Sequence, residues 1–161
     1  MNLPTESWAE FDQQRIYRYM LLRKWNNHGL VAIIGLNPST ADEYEDDPTI
    51  RRCRGFAQQW GYGGIVMLNL FGFRATDPGQ LKKTVDPIGP ENDLYIKSWV
   101  AASDIIVAAW GAYGSIHGRD DAVKEILRSS GRSVQCLGRT KQGHPRHPLY
   151  MPRSTPLERF L

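Results

Sequence analysis

Cysteine is scarce. Two thiols, Cys53 and Cys136, stand far apart in 161 residues and outside any Cys-x-x-Cys spacing. That leaves free thiols as the expectation and offers no zinc signature. Long apolar runs are missing too, so no segment reads as a bilayer span and no membrane partner is expected. The first residues, Met1-Asn2-Leu3-Pro4-Thr5-Glu6-Ser7, lack the basic-then-apolar order of a secretory signal, and a cytoplasmic location is the expectation. Neither sign of charge dominates: 20 Lys and Arg stand against 17 Asp and Glu, a net charge of +3. Such a balance permits nucleic-acid contact without demanding it. Internal repeats and low-complexity segments are absent.

What remains is an ordinary globular composition, 41% hydrophobic and 23% charged, long enough for one domain over residues 1–161 with a core of its own. Five tryptophans and seven tyrosines are many for this length, as core or as stacking platforms.

The chain is organised around Val31-Ala32-Ile33-Ile34-Gly35-Leu36-Asn37-Pro38-Ser39-Thr40. A short β-branched run suits a strand covered on both faces. Gly35 permits an unusual backbone angle or a close approach. Pro38 removes a ladder donor and stops the strand, so Asn37 is presented at its carboxyl end, where open α/β sheets place ligands.

Residues 1–14 read as a loose arm or short helix. Residues 15–25 alternate as a strand, with Arg18 and Lys24 on its polar face. Asn26-Asn27-His28-Gly29 is a turn signal that predicts a hairpin with a strand over 30–36. An acidic loop follows. Asp47 and Pro48 then cap and open a helix closed by Gly61, its outer face carrying Arg51, Arg52 and Arg54 as a solvated patch or as phosphate contacts. Asp42, Asp46 and Asp47 read as caps ahead of metal ligands. A buried strand over 64–69 ends in Asn69. The long loop after it mixes aromatic, Arg and Asp residues, as functional loops do. A helix from Pro90 to about 102 should bury Leu94, Tyr95, Ser98, Trp99 and Ala102. A strand over 104–111 precedes a helix over 119–130 with Ala122, Val123, Ile126 and Leu127 as its core face. A shorter strand over 133–137, a loop containing Pro145, Pro148 and Pro152, and a short helix over 155–160 finish the chain. The alternation predicts a three-layer α/β/α domain: a mainly parallel four-stranded central sheet with an antiparallel N-terminal edge strand.

Four stretches, in this order, resemble the uracil-DNA glycosylase superfamily: Gly35-Leu36-Asn37-Pro38-Ser39, Val66-Met67-Leu68-Asn69, Val107-Ala108-Ala109-Trp110-Gly111 and His144-Pro145-Arg146-His147-Pro148-Leu149. The chain resembles still more closely a bacterial and phage family designated a domain of unknown function. Its signature includes Leu36-Asn37-Pro38-Ser39-Thr40-Ala41, Arg74-Ala75-Thr76-Asp77-Pro78 and His147-Pro148-Leu149-Tyr150. The glycosylase resemblance implies a glycosylase-like fold and hydrolysis of the N-glycosidic bond of a base in DNA. It implies that Asn37 holds the attacking water and that Asn69 reads the base beside Pro38 and Ser39. It also implies that His144 or His147 donates to the base oxygen. An inserted residue in the last motif leaves both histidines open. Breaking a base–sugar bond puts positive charge on the sugar and negative charge on the base, so donors aimed at the base are what the chemistry needs. Phe71 or Phe73 would stack on the base, and Arg146, Arg74 and Arg51 would hold phosphates. No lysine in the motifs offers a Schiff base, and no cofactor or metal is expected. DNA or a nucleotide is the expected partner. Two other readings fit the same residues: a non-catalytic module that binds nucleic acid or nucleotides, and a hydrolase of free modified nucleosides or nucleotides.

Overall fold

A computed structural model describes residues 4–161. Its architecture is α/β, with one mixed sheet of seven strands and four helices. The strands are β1 (Glu6–Phe11), β2 (Arg18–Lys24), β3 (Leu30–Gly35), β4 (Gly64–Asn69), β5 (Ile105–Ala108), β6 (Gln135–Cys136) and β7 (Glu158–Arg159). The helices are α1 (Pro48–Gln59), α2 (Gln80–Lys83), α3 (Asn92–Ala102) and α4 (Arg119–Ser129). Spatial order across the sheet is β1-β2-β4-β3-β5-β6-β7. The middle four, β4-β3-β5-β6, are parallel, while β1, β2 and β7 run antiparallel to their neighbours.

The parallel four-stranded centre is as the alternation predicts; its borders are not. The strand over 15–25 forms no hairpin with that over 30–36, because β4 lies between them. The turn signal is spent elsewhere: Trp25 N–H and Asn26 N–H donate to Gly63 O at 2.8 and 3.1 Å, and Gly63 N–H donates to Gly29 O at 2.9 Å. Loop 25–29 therefore clasps the loop that enters β4. Gly63 has to be glycine there, since a Cβ would come within 2.4 Å of Asn26 O. Within residues 1–14, Glu6–Phe11 is an edge strand rather than an arm or helix (residues 1–3 lie outside the described ones). The segment over 155–160 holds β7, paired with β6, rather than a helix.

Right-handed crossovers explain the layers. The chain steps from β3 to β4 in one direction and from β5 to β6 in the other, so α1 and α4 fall on opposite faces. Ile50, Cys53 and Ala57 of α1 pack with Val31, Ile33, Ile65 and Met67. Ile96 and Val100 of α3 and Val123 and Leu127 of α4 pack with Ala32, Ile34, Val66 and Leu68 on the other face. Helix α3 is rotated from expectation: Asn92, Ile96 and Val100 are buried and Leu94 is 63% exposed. On α4, Val123 and Leu127 are buried and Ala122 is exposed.

Sheet reversal between β3 and β5 opens a crevice at their carboxyl ends. The ladder runs on past β4, with Leu70 N–H and Phe71 N–H donating to Gly35 O and Leu36 O at 2.9 and 3.0 Å, so the two flanking loops leave the sheet together.

Candidate functional site

A cavity of about 370 Å³ occupies that crevice, a size that suits a small ligand. Asn37, Pro38 and Ser39 enter it from the end of β3, Asn69 from the end of β4, Trp110 to Tyr113 from the end of β5, and His147 from the last loop. Helix α1 adds Asp47 and Thr49 at its start. The lining grades with depth. Ile33, Met67, Asn69 and Arg18 are each less than 5% exposed, while Tyr113 and Tyr150 at the mouth are 57% and 82% exposed.

Asn37 has a fixed orientation. Its Nδ2 donates to Ala75 O at 2.8 Å and to Pro38 O at 3.0 Å. Two carbonyl acceptors require the NH₂ on that side, which leaves Oδ1 as the atom available to a ligand or water. The same bonds tie the loop over 74–77 to the end of β3, together with Ala75 N–H to Pro38 O at 3.0 Å. Asn69 is oriented by Arg18, whose Nη2 donates to Asn69 Oδ1 at 3.4 Å. Nδ2 of Asn69 makes no hydrogen bond among the described residues, so the side chain offers the cavity a donor. Gly35 makes room for it, since a Cβ at that position would stand 3.0 Å from Asn69 Nδ2.

His147 caps the short turn Pro148–Tyr150. Its Nδ1 accepts from Leu149 N–H at 3.2 Å, which places the proton of the neutral ring on Nε2. Burial lowers its pKa below the ordinary imidazole value, opposed by the attraction of Asp47. His147 is therefore a neutral donor at pH 7, its ring 5.5 Å from that of Tyr150.

Arg18 escaped the sequence reading, which put it on a polar strand face. It is 2% exposed and lines the cavity. Nη1 donates to Ala41 O at 3.1 Å, Nε has no hydrogen-bond partner, and no carboxylate pairs with it among the described residues. Burial pushes its pKa down to about 10, partly offset by the more distant Asp47 and Asp42 and reinforced by Arg74 and Arg23. It stays charged at neutral pH. Thr76 and Tyr150 were missed as well, because nothing local marks a rim residue. A signal for Arg18 did exist: the unbroken apolar run Tyr19-Met20-Leu21-Leu22 that follows it has no polar face, and the strand is buried at every position from Arg18 to Arg23.

Other expected site residues fall elsewhere. Phe71 is fully buried in the core under α3 and cannot reach a ligand; the ladder beyond β4 carries it inward. Phe73 packs edge-on to Tyr17 with centroids 6.3 Å apart, outside the cavity. His144 is held by Thr140, through His144 N–H to Oγ1 at 3.1 Å, and does not line the cavity. Arg146 donates to Arg139 O, and Arg74 donates to Arg15 O and lies over the Phe11 ring. Arg54 is buried against Asp46 at 2.6 Å rather than facing outward. Arg51 is exposed and lines a separate cleft of about 410 Å³ with Arg52 and Arg153.

The three loop aspartates have structural duties. Asp42 accepts from Tyr44 N–H and Glu45 N–H, Asp46 pairs with Arg23 and Arg54, and Asp47 accepts from Ile50 N–H at 2.9 Å as the cap of α1.

The family described as Protein of unknown function (DUF1643) matches residues 18–149. The chain belongs to that family. The match begins at Arg18 and ends at Leu149, so it contains every residue that lines the cavity except Tyr150. No curated protein matches the chain, and no solved structure does. Among the described residues no helix is long and apolar enough to cross a membrane.

Proposed function

We propose that the chain hydrolyses the N-glycosidic bond of a single nucleotide unit held in the cavity. The observation that carries this reading is the orientation of Asn37. With both amide hydrogens tied to Pro38 O and Ala75 O, Oδ1 is a pure acceptor at the end of the central strand, suited to hold a water by one of its hydrogens. Oxygen of that water bonds to C1′ as the C1′–N bond breaks and its electron pair stays with the base. Water loses a proton to solvent and the base takes one up, giving free base and a sugar with a 1′-hydroxyl. Neutral His147, with its proton on Nε2, supplies the donor that a base needs as its charge develops. Tyr113 and Tyr150 at the mouth offer faces on which a base stacks. An amide is too weak a base to deprotonate water, so the rate enhancement rests on positioning and on charge stabilisation. The order of the four motifs along the chain supports a uracil-DNA glycosylase-like fold.

A second reading, the same chemistry on a nucleotide within nucleic acid, is favoured by the cleft with Arg51, Arg52 and Arg153, which lies across Pro48 and Leu149 from the cavity. Free nucleotides and modified oligonucleotides, incubated with the protein and analysed for released base by chromatography, test both. Base release that vanishes in Asn37→Ala and falls in His147→Ala is the expected result. No release from any nucleotide or oligonucleotide overturns the hydrolytic reading, and salt-insensitive or absent oligonucleotide binding overturns the second.

A further inference from the structure

We propose that Arg18 and Asn69 form an anion site on the cavity floor that takes the terminal phosphate of a free nucleotide. The proposal deepens the reading above by naming its substrate class, and it rests on that reading only for the nucleoside part of the ligand.

Arg18 is a charge without a counter-charge in contact. A guanidinium carries five N–H donors, and here one goes to Ala41 O, one goes to Asn69 Oδ1 at the long distance of 3.4 Å, and Nε goes to nothing. Burying an uncompensated charge is costly, and buried charges are ordinarily paired. An oxyanion entering the cavity would remove that cost by meeting a planar, bidentate donor. Asn69 points to the same ligand chemistry. With Oδ1 turned to Arg18, its remaining Nδ2 is a second donor at the same depth. A floor made of donors selects an acceptor-only group, which a phosphate is and a pyrimidine edge, with its N–H, is not.

Depth decides which phosphate. Arg18 and Asn69 are buried at the floor, whereas the aromatic side chains sit exposed at the mouth. A phosphodiester at the floor would need two ways out for its chain; a terminal phosphate needs one. Its nucleoside then extends outward past Asn37 towards His147 and Tyr150. Among the described residues Asp47 is the one carboxylate on the lining. Its Oδ1 is engaged as the α1 cap, and the positive end of the helix attenuates its charge.

Thermal unfolding with inorganic phosphate, against chloride at matched ionic strength, gives the test. Wild type should show a saturable rise in Tm, about 5 °C or more at a hundredfold excess over Kd. Arg18→Met, which keeps the length and apolar contacts, should fold and show no rise. Asp47→Asn, which keeps the cap, should respond at lower phosphate concentration. No rise in wild type, or an equal rise in Arg18→Met, overturns the site. Nucleoside 5′-monophosphates should displace phosphate while the matching nucleosides do not; equal displacement by both overturns the terminal phosphate. The two proposals fail separately. Arg18-dependent phosphate binding without base release supports this site and removes the hydrolysis. Base release from a nucleoside 5′-monophosphate at unchanged rate and KM in Arg18→Met keeps the hydrolysis and overturns this site.

Discussion

Strand β2 buries an arginine at each end, and the two ends differ in what meets the charge. At the far end Arg23 is 1% exposed, and its Nε donates to Asp46 at 2.8 Å. Its other nitrogens donate to Leu22 O, Asp42 O and Glu45 O. Arg54 reaches the second oxygen of Asp46 at 2.6 Å. That end is closed: one carboxylate, two guanidiniums and the carbonyls of the acidic loop form a network that fixes the loop leading into α1. At the near end Arg18 is as deeply buried and lacks such a network, and it faces the cavity. Equal burial with unequal compensation separates an arginine that holds the fold from one that waits for a ligand.

Arg23→Met should cause the largest effect. It removes a buried charge from a satisfied network, and breaking such a pair costs about 3–5 kcal/mol. Because Asp46 keeps Arg54, the lower end of that range is expected, a fall in Tm of about 6–12 °C for a chain of this size. Arg18→Met should leave Tm unchanged or raise it when no anion is present, since it deletes an uncompensated charge and retains the packing. Two variants of one strand with opposite signs in a calorimetric scan would sharpen the comparison. Equal losses would break it and make Arg18 a second structural arginine.

Next in size is Asn37→Ala. Losing the bonds to Pro38 O and Ala75 O should cost about 1–3 kcal/mol and loosen the loop over 74–77, read as faster amide exchange at Ala75, whose N–H is bonded to Pro38 O. Base release should also vanish. Gly35→Ala should leave stability nearly intact while its new Cβ, which would stand 3.0 Å from Asn69 Nδ2, displaces that amide, so phosphate binding should weaken several-fold in titration calorimetry.

The smallest effect concerns pH. His147 has a folded pKa below its unfolded value because burial disfavours the imidazolium. Its contribution to stability is complete above about pH 6.5, where both states are neutral. It is lost as pH falls from there to the folded pKa, where the unfolded chain binds the proton first. His147→Asn keeps an acceptor for Leu149 N–H and does not titrate, so the difference in Tm between it and wild type should narrow as pH falls from 7 to 5.

Much of the fold was legible. Apolar runs at 31–34, 64–68 and 105–108 are too short and too β-branched for helices, and Asp47-Pro48 and Gly61 bracket α1 where caps belong. Local signals failed where a distant segment claimed the same groups. Asn26 to Gly29 has hairpin chemistry, yet its partner is Gly63, because β4 pairs with β2 on one side and with β3 on the other and so stands between the two strands the turn would have joined. Residues 158–159 carry too little pattern to read as a strand; β6 supplies their pairing. In the site, Asn37, with Pro38 and Ser39 beside it, and Asn69 were readable from their places after strand ends, and His147 only as one of two histidines. Phe71 misled because the β4 ladder runs on past Asn69 and turns its ring into the core.

The sequence by itself determined the parallel centre, the caps and the placement of Asn37 beyond a strand end, since each follows from residue spacing and backbone stereochemistry. Tertiary structure alone decided which histidine enters the cavity and which buried arginine has a counter-charge, because both depend on what residues far away in the chain bring within hydrogen-bond reach.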